Sequence, residues 1–501
     1  MLGTYFTFPE LFIWLPLLAG ILCFFLPKGN AAKNVALFTS IVIFTIAITS
    51  LLYTDNKYAS YNSVSYYWLK YIGNSFYVGL DGTSRLLTLL TAISFPIIFV
   101  ATYNNTNVKK PAAFYGLMLL TQAGLMGVFC SLDVLVFYFF WELALIPVYF
   151  LSSIWGGEKR IKVTFKFFVY TFIGSLLMLT GIIYVYLHTT SRTFEDGTFS
   201  AHSFAMSSFI NAALNPAQQN WLFWLFFVAF AIKMPIFPFH TWQPDTYDQS
   251  PTSVTMVLSG IMVKMGLFGV IRLLIPMFPS ATNHFTHIVM ILCIIGIIYA
   301  SCIAMVQDNL KKLVAYSSIA HIGLMCAAIF ALNSLSVQGA LLQMFNHGIN
   351  IIGLWIVIDL LERKTGVKNI SQLGGVAQKA PVLTIFLVII ALANIALPLT
   401  NAFVGEFLMF GGLYQFNAWY AFAAGISIIL AAVYTLNMIQ KVFYGSTNAI
   451  TETIKDISLH EKIILAVVVG LIFMVGLYPQ PMIALTKDVA NNLGVFVKTA
   501  R

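Results

Sequence analysis

The stretch Ile463–Tyr478 runs for sixteen residues without a charge, and similar stretches recur along the whole chain. In lipid such a segment has to satisfy its own backbone polar groups, which an α-helix does internally. Charged residues make up 9% of the 501, and hydrophobic ones 59%. A soluble domain carries roughly 25% charged residues, so this chain has too few to coat a soluble globule. Its 15% aromatic residues exclude a disordered chain, whose composition leaves little to bury. A membrane β-barrel would alternate in short segments. At ~20 apolar residues per crossing, the sequence predicts an all-α polytopic membrane protein.

Apolar runs separated by charged or turn residues predict about fourteen spans, centred near residues 18, 43, 92, 121, 144, 176, 230, 264, 292, 322, 348, 396, 430 and 470. Cytoplasmic loops carry an excess of Lys and Arg. With the N-terminus outside, the loops after odd-numbered spans hold 17 of the 27 cations, including Lys109, Lys110, Lys311, Lys312 and Lys368. The other side holds 7, among them Lys28's opposite numbers Lys57, Lys70, Arg85 and Arg501, and Lys233, Lys264 and Arg272 fall inside spans. This bias predicts both termini on the outer side of a bacterial inner membrane or equivalent energy-coupling membrane. One inner loop, 243–250, carries Asp245 and Asp248 but no cation. The net charge of +9 follows from the loop bias and suits anionic lipid, not nucleic acid.

Resident chemistry finds little support. Five scattered cysteines form no C-x-x-C pair, which argues against an iron–sulfur or structural zinc site made by this chain. No Walker loop or G-x-G-x-x-G is present, so nucleotide binding is unsupported. No basic residue precedes the first apolar run, so that run is expected to be a first membrane helix and not a cleaved signal.

Two expected spans are broken by proline. Ala231–His240 carries Pro235 and Pro238, and Asn394–Thr400 carries Pro398. Proline removes a helical hydrogen bond and clashes with the carbonyl four residues back. Broken helices at membrane depth persist only where protein or internal water satisfies the freed groups. These breaks fall in spans seven and twelve, and interrupted helices at corresponding places in two halves mark inverted-repeat transporters.

Ionisable groups inside the spans are few: Glu142, Lys233, Lys264, His321, His347 and Glu406. A charge at the bilayer centre costs at least ~2.5–3.5 kcal/mol on insertion scales, so such groups face protein or water. Acids at both ends with bases and imidazoles between suit a proton relay. Glu142 has no cation in its own span, which makes Lys233 its expected partner; a static ion pair joining helices is the other reading. Ser317 and His321 share a helical face, as do Gln343, Asn346, His347 and Asn350 at i, i+3, i+4 and i+7. A polar stripe of that length must line an interior path or another helix. His240 adds a polar group beside the first break. The remaining histidines lie near predicted ends or loops.

Six segments in fixed order identify a relationship: Phe137–Pro147 (FYFFWELALIP), Lys233–Asp245 (KMPIFPFHTWQPD), Gly260–Gly266 (GIMVKMG), Lys311–Gly323 (KKLVAYSSIAHIG), Phe345–Gly348 (FNHG) and Phe403–Phe407 (FVGEF). Together they resemble the antiporter-like membrane subunits of respiratory complex I, NADH–quinone oxidoreductase, and among them the M (chain 4) type, over roughly residues 80–445. The resemblance implies two inverted five-helix repeats, each with a half-channel, and a polar axis along the membrane. It implies N-terminal helices over 1–105, repeats over 106–280 and 281–445, and a last helix with tail over 446–501. Glu142 then matches the family's motif glutamate, Lys233 its paired lysine, Lys264 the central lysine, His321 and His347 the connecting histidines, and Glu406 the terminal acid. The related L and N subunits, and the multisubunit sodium/proton antiporters, resemble this chain but carry lysine where Glu406 stands. The chain is expected to lack the long lateral helix of subunit L. Flavin (FMN), iron–sulfur clusters and quinone are implied for partner subunits, with no cofactor in this chain. Two other readings of the same residues stay open: a standalone sodium/proton antiporter subunit, and a b-type cytochrome with His321 and His347 as haem ligands.

Overall fold

The computed structural model describes residues 6–26, 30–54, 59–103, 108–193 and 197–498. Lys28, Lys57, Arg501 and both chain ends, which entered the topology expectation, lie outside them.

The long helices follow one another as α1 (Phe8–Phe25), α2 (Ala31–Ser50), α3 (Gly82–Ala101), α4 (Pro111–Cys130), α5 (Val134–Trp155) and α6 (Arg160–Tyr186). Then come α7 (Pro216–Lys233), the short α8 (Gln243–Gln249), α9 (Thr252–Met277), α10 (Pro279–Val306), α11 (Leu310–Phe330) and α12 (Ser334–Thr365). α13 (Pro381–Asn394), α14 (Asn401–Phe416), α15 (Ala418–Phe443), α16 (Leu459–Leu477) and α17 (Gln480–Lys498) close the chain. Among the described residues twelve helices are long and apolar enough to cross a membrane, namely α1–α6, α9–α12, α15 and α16. Each coincides with an expected span. The two expected spans left over are those read as broken by proline, whereas Pro16, Pro96 and Pro147 lie inside the continuous helices α1, α3 and α5. At the two breaks α7 stops two residues before Pro235, and α13 and α14 are separate helices flanking Pro398.

Helix ends are fixed by side chains, because orphan backbone groups near lipid find little water. Asp81 caps α3 through Ser84 N at 2.8 Å. Asn309 caps α11 through Lys311 N at 2.9 Å, and Asn333 caps α12 through Ser336 N at 2.9 Å. Arg85, expected in an outer loop, instead lies buried in the first turn of α3. It donates to the carbonyls of Ser50 (2.5 Å) and Tyr53 (3.3 Å) at the end of α2.

The fold is mostly helical, as expected, and its few strands lie in loops. Two small antiparallel hairpins occupy loops: β1 (Ser63–Tyr67) with β2 (Ser75–Gly79), and β3 (Arg192–Thr193) with β4 (Phe199–Ser200). β1 alternates Ser, Val, Ser, Tyr, Tyr, a composition that favours strand over helix.

The fold divides into two compact units, Met1–Lys233 with Lys264–Phe285 and Val495–Arg501, and Met234–Val263 with Thr286–Gly494. In the first, α1 packs on α2 and α4, and α6 packs on α7. In the second, α12 is central and packs on α11, α13, α14 and α16. An 18-residue stretch of α12 is wholly buried, against 28% for α16, so α12 is a core helix and α16 offers its sides to lipid. Large apolar groups on the outer helices, such as Phe38, Phe165, Trp419 and Ile429, are exposed, as lipid contact demands.

The second unit also accounts for the cation-free loop. Asp248 on α8 accepts from Lys368 Nζ at 2.6 Å and Asn309 Nδ2 at 2.8 Å. Asp245 lies 3.6 Å from Lys312. The missing cations come from the loop ends before α11 and after α12, both among the expected inner loops. Counting charges within one loop misses neutralisation supplied by its neighbours.

Candidate buried proton-transfer sites

In the first unit, Glu142 sits mid-way along α5, half-buried. Ser175 on α6 donates its hydroxyl to Glu142 Oε1, and the same Ser175 Oγ lies 3.2 Å from Tyr138 OH. Lys233, the last residue of α7, is buried with its Nζ 5.4 Å from the centre of the Trp141 ring. Lys233 and Glu142 interact through space but form no contact ion pair. The expected partnership is therefore electrostatic and open, with serine on one charge and an aromatic face on the other. A cation over tryptophan is held by the ring quadrupole without any proton acceptor.

Lys264 is fully buried. The backbone around it departs from the α-helix: Leu258–Met262 and Val270–Leu274 are π-helical, with Lys264–Gly269 α-helical between them. π turns are rare and recur at functional sites, because each frees backbone groups from the regular ladder. Nothing in the sequence marks the widened turns. Arg272, in the second π segment, bonds to Asp81, so the third in-span cation is paired at the end of α3.

The second unit brings most of the remaining expected residues together. Its first break places Pro235 and Pro238 in a turn segment before α8. There His240 is buried, its ring edge-on to Tyr299 with centroids 5.3 Å apart. At the second break, Ala396 and Leu399 hold positive φ angles of 58° and 75° on either side of Pro398. Non-glycine residues pay of order 1–3 kcal/mol for such conformations, and they persist where the surroundings over-determine them. Side chains of α12 supply that determination. Asn350 Nδ2 donates to Ala393 O at 3.2 Å, and Asn346 Nδ2 donates to Asn401 O at 2.8 Å. Asn401 Nδ2 returns a bond to Asn346 O at 3.4 Å. Half of the polar stripe is thus spent on holding the break.

The other half reaches an acid. Gln343 Nε2 lies 3.4 Å from Glu406 Oε1, and His321 Nδ1 lies 3.4 Å from the same oxygen. The His321 and His347 rings are 5.7 Å apart between centroids. Glu406, His321 and His347 are all buried. Ser317, one turn before His321, accepts from Asn394 Nδ2 at 3.4 Å and from Tyr434 OH at 2.9 Å. Asn394 Nδ2 is also 3.4 Å from His321 Nε2. Asn394 and Tyr434 are new members of the site. Asn394 carries a sequence signal in hindsight, an amide at the end of an apolar helix just before a proline. Tyr434 carries none.

No group of three or more His, Cys, Asp or Glu among the described residues could hold a metal ion. Carboxylate, imidazoles and hydroxyls lie within hydrogen-bond reach in a buried setting, where each added charge is strongly felt.

Known proteins resemble the chain over most of its length. The family described as NADH:quinone oxidoreductase/Mrp antiporter, TM, matches residues 131–432. The chain is 37% identical over 491 residues to NADH-quinone oxidoreductase subunit M of Rickettsia prowazekii, covering 96% of this chain and 97% of the relative. It is 33% identical over 492 residues to NADH-ubiquinone oxidoreductase chain 4 of Marchantia polymorpha, covering 96% of both. A chain in the structure of respiratory complex I from Thermus thermophilus with bound NADH superposes with a TM-score of 0.88 at 26% identity, covering 98% of this chain and 100% of that one.

Proposed function

Since the chain belongs to the antiporter-like membrane subunits of NADH–quinone oxidoreductase, as one of the M (chain 4) type, we propose that its buried Glu142, Lys233, Lys264, His321, His347 and Glu406 relay protons driven by quinone reduction elsewhere in the complex. It is a multi-pass membrane subunit of a proton-pumping respiratory oxidoreductase. Translocation by this chain, without redox chemistry of its own, is the further step. The observation that carries it is the contact of Glu406 with both His321 and Gln343 in a buried setting.

Charges of opposite sign ~4 Å apart interact by about 4 kcal/mol at an effective dielectric of 20. Moving one charge against 100 mV takes about 2.3 kcal/mol. Making or breaking one buried pair is therefore enough to gate a transfer. In the first unit, closing the open gap between Glu142 and Lys233 would draw the lysine proton toward the acid and favour release from Lys264. In the second, protonation of His321 strengthens its hold on Glu406.

The reading includes fourteen crossings in two inverted repeats, with both termini on the outer face of a bacterial inner membrane. It assigns 1–105 to leading helices, 106–280 and 281–445 to the repeats, and 446–501 to the last helix and tail. FMN, iron–sulfur clusters and quinone belong to partner subunits, and the L and N type siblings are membrane-arm neighbours. Glu142→Gln and Lys264→Ala in an assembled complex should each abolish or severely reduce NADH-driven proton pumping. Normal pumping by both variants would overturn the proposal. Sodium-dependent flux without electron flow would favour the antiporter reading instead.

A further inference from the structure

A cavity of about 510 Å³ opens at the loop end of the second unit, between the α10–α11 connection and the last turns of α15. Asp308, Ser371, Asn437 and Lys441 give it polar walls. Tyr434 lies in its lining, and also in the lining of a second cavity of about 10 Å³ that His321 and Glu406 bound. A space of about 10–15 Å³ is the room one water occupies. One buried tyrosine therefore lines both the loop-end cavity and the space, of single-water size, beside the His321–Glu406 pair.

The chemistry of that residue suits its position. A phenol both accepts and donates a proton, and its O–H turns about a single bond. In this structure Tyr434 OH donates to Ser317 Oγ at 2.9 Å. Asn394, which also bonds Ser317, has an amide that donates but does not relay protons.

We propose that Tyr434 is a hydroxyl valve that admits protons from the loop-end cavity to the His321–Glu406 pair. Parked on Ser317, the O–H closes the route. Turned to the water of the small cavity, it opens: a hydronium in the large cavity gives a proton to the phenol oxygen as the phenol's own proton passes to that water and on to His321. One proton enters for each that leaves, and rotation of the hydroxyl restores the start. The valve rests on the proton-relay reading given above, since it supplies that relay.

The test uses the assembled oxidoreductase in proteoliposomes. Tyr434→Phe removes only the hydroxyl and should lower proton pumping on the order of tenfold or more, the low end of what a placed proton-transfer group contributes. Ser317→Ala removes the parking site and should raise passive proton leak, and an unchanged leak counts against the valve. With Asn437→Cys, a charged thiol reagent should block pumping in labelled protein relative to the same protein unlabelled. If Tyr434→Phe pumps normally while Glu406→Gln does not, the valve is wrong and the relay stands. If both pump normally, the relay itself falls, and the valve with it. Full labelling of Asn437→Cys without inhibition also overturns the valve, whatever the folding of the tyrosine variant.

Discussion

His321 Nδ1 lies 3.4 Å from Glu406 Oε1, although the two residues are on different helices and 85 positions apart in the chain. When the imidazole carries a proton, the attraction at that distance is about 5 kcal/mol at an effective dielectric of 20. Glu406→Gln keeps the size of the side chain and its link to Gln343, but removes the charge that faces His321. Proton pumping should fall on the order of tenfold or more, with assembly of the complex unchanged. The acidification of proteoliposomes on adding NADH measures it, and an unaltered rate would show that the pair is structural.

Glu142 and Lys233 offer a contrast, because they do not touch. Removing one partner of a buried contact pair costs about 3–5 kcal/mol by leaving a bare charge. Here Ser175 holds Glu142 and the Trp141 ring faces Lys233, so Glu142→Gln should cost under ~2 kcal/mol of stability, the range of a single altered hydrogen bond. Pumping should nevertheless collapse. Thermal unfolding of the purified complex, read beside its pumping rate, separates a gating charge from a structural bridge; a stability loss as large as a broken contact pair would favour the latter.

How far the sequence led is clear from these residues. The twelve continuous spans were legible because lipid leaves a chain few options, and the two broken ones from Pro235, Pro238 and Pro398, although Pro16, Pro96 and Pro147 leave α1, α3 and α5 continuous. The stripe on α12 was legible as a stripe, yet its division into Asn346 and Asn350 for the break and Gln343 for the acid was not. Periodicity reports which residues share a face, and says nothing of what stands opposite. That same limit hid the open gap between Glu142 and Lys233, since no pattern within one helix sets a distance to another. Asn394 and Tyr434 meet Ser317 from 77 and 117 residues away. The π turns around Lys264 depend on packing from several helices, and no local propensity announces them. Asp245 and Asp248 looked like an error in the topology until the neighbouring loops supplied their cations.

Two glycines on α14 allow packing and function to be told apart. A Cβ at Gly412 would meet Ser336 N at 2.5 Å, a backbone atom that cannot step aside. Gly412→Ala should therefore destabilise by roughly 1–3 kcal/mol, as overpacked cores do. At Gly405 the nearest atom is Gln343 Oε1, also at 2.5 Å, the end of a flexible side chain that can swing away. Gly405→Ala should be milder in stability but displace Gln343 from Glu406, reducing pumping more than unfolding temperature. Equal effects of both variants on both readouts would contradict this division.

Two aspartates outside the membrane spans should give stability opposite slopes with pH. Burial alone would raise Asp248, but the hydrogen bonds of Lys368, Asn309 and Gln249, with the charge of Lys368, hold its carboxyl below the usual 3.8. Its contribution is present above that value and fades as pH falls through its folded-state pKa. Asp133, the cap of α5, is different: burial pushes it up to about 7, against the opposing bonds from Val136, Ser75, Leu135 and Asn74. A raised carboxyl favours the folded state most below 3.8 and loses that contribution as pH rises through about 7. Asp133→Asn keeps an oxygen for the cap and carries no charge to bury. It should be more stable relative to the parent at pH 8 than at pH 5, whereas Asp248→Asn should lose ground to the parent at neutral pH and regain it only below pH ~4. Thermal unfolding of the parent and both variants from pH 3.5 to 8.5 would show the crossing slopes, and parallel curves for Asp133→Asn and the parent would mean that Asp133 titrates alike in the folded and unfolded chain.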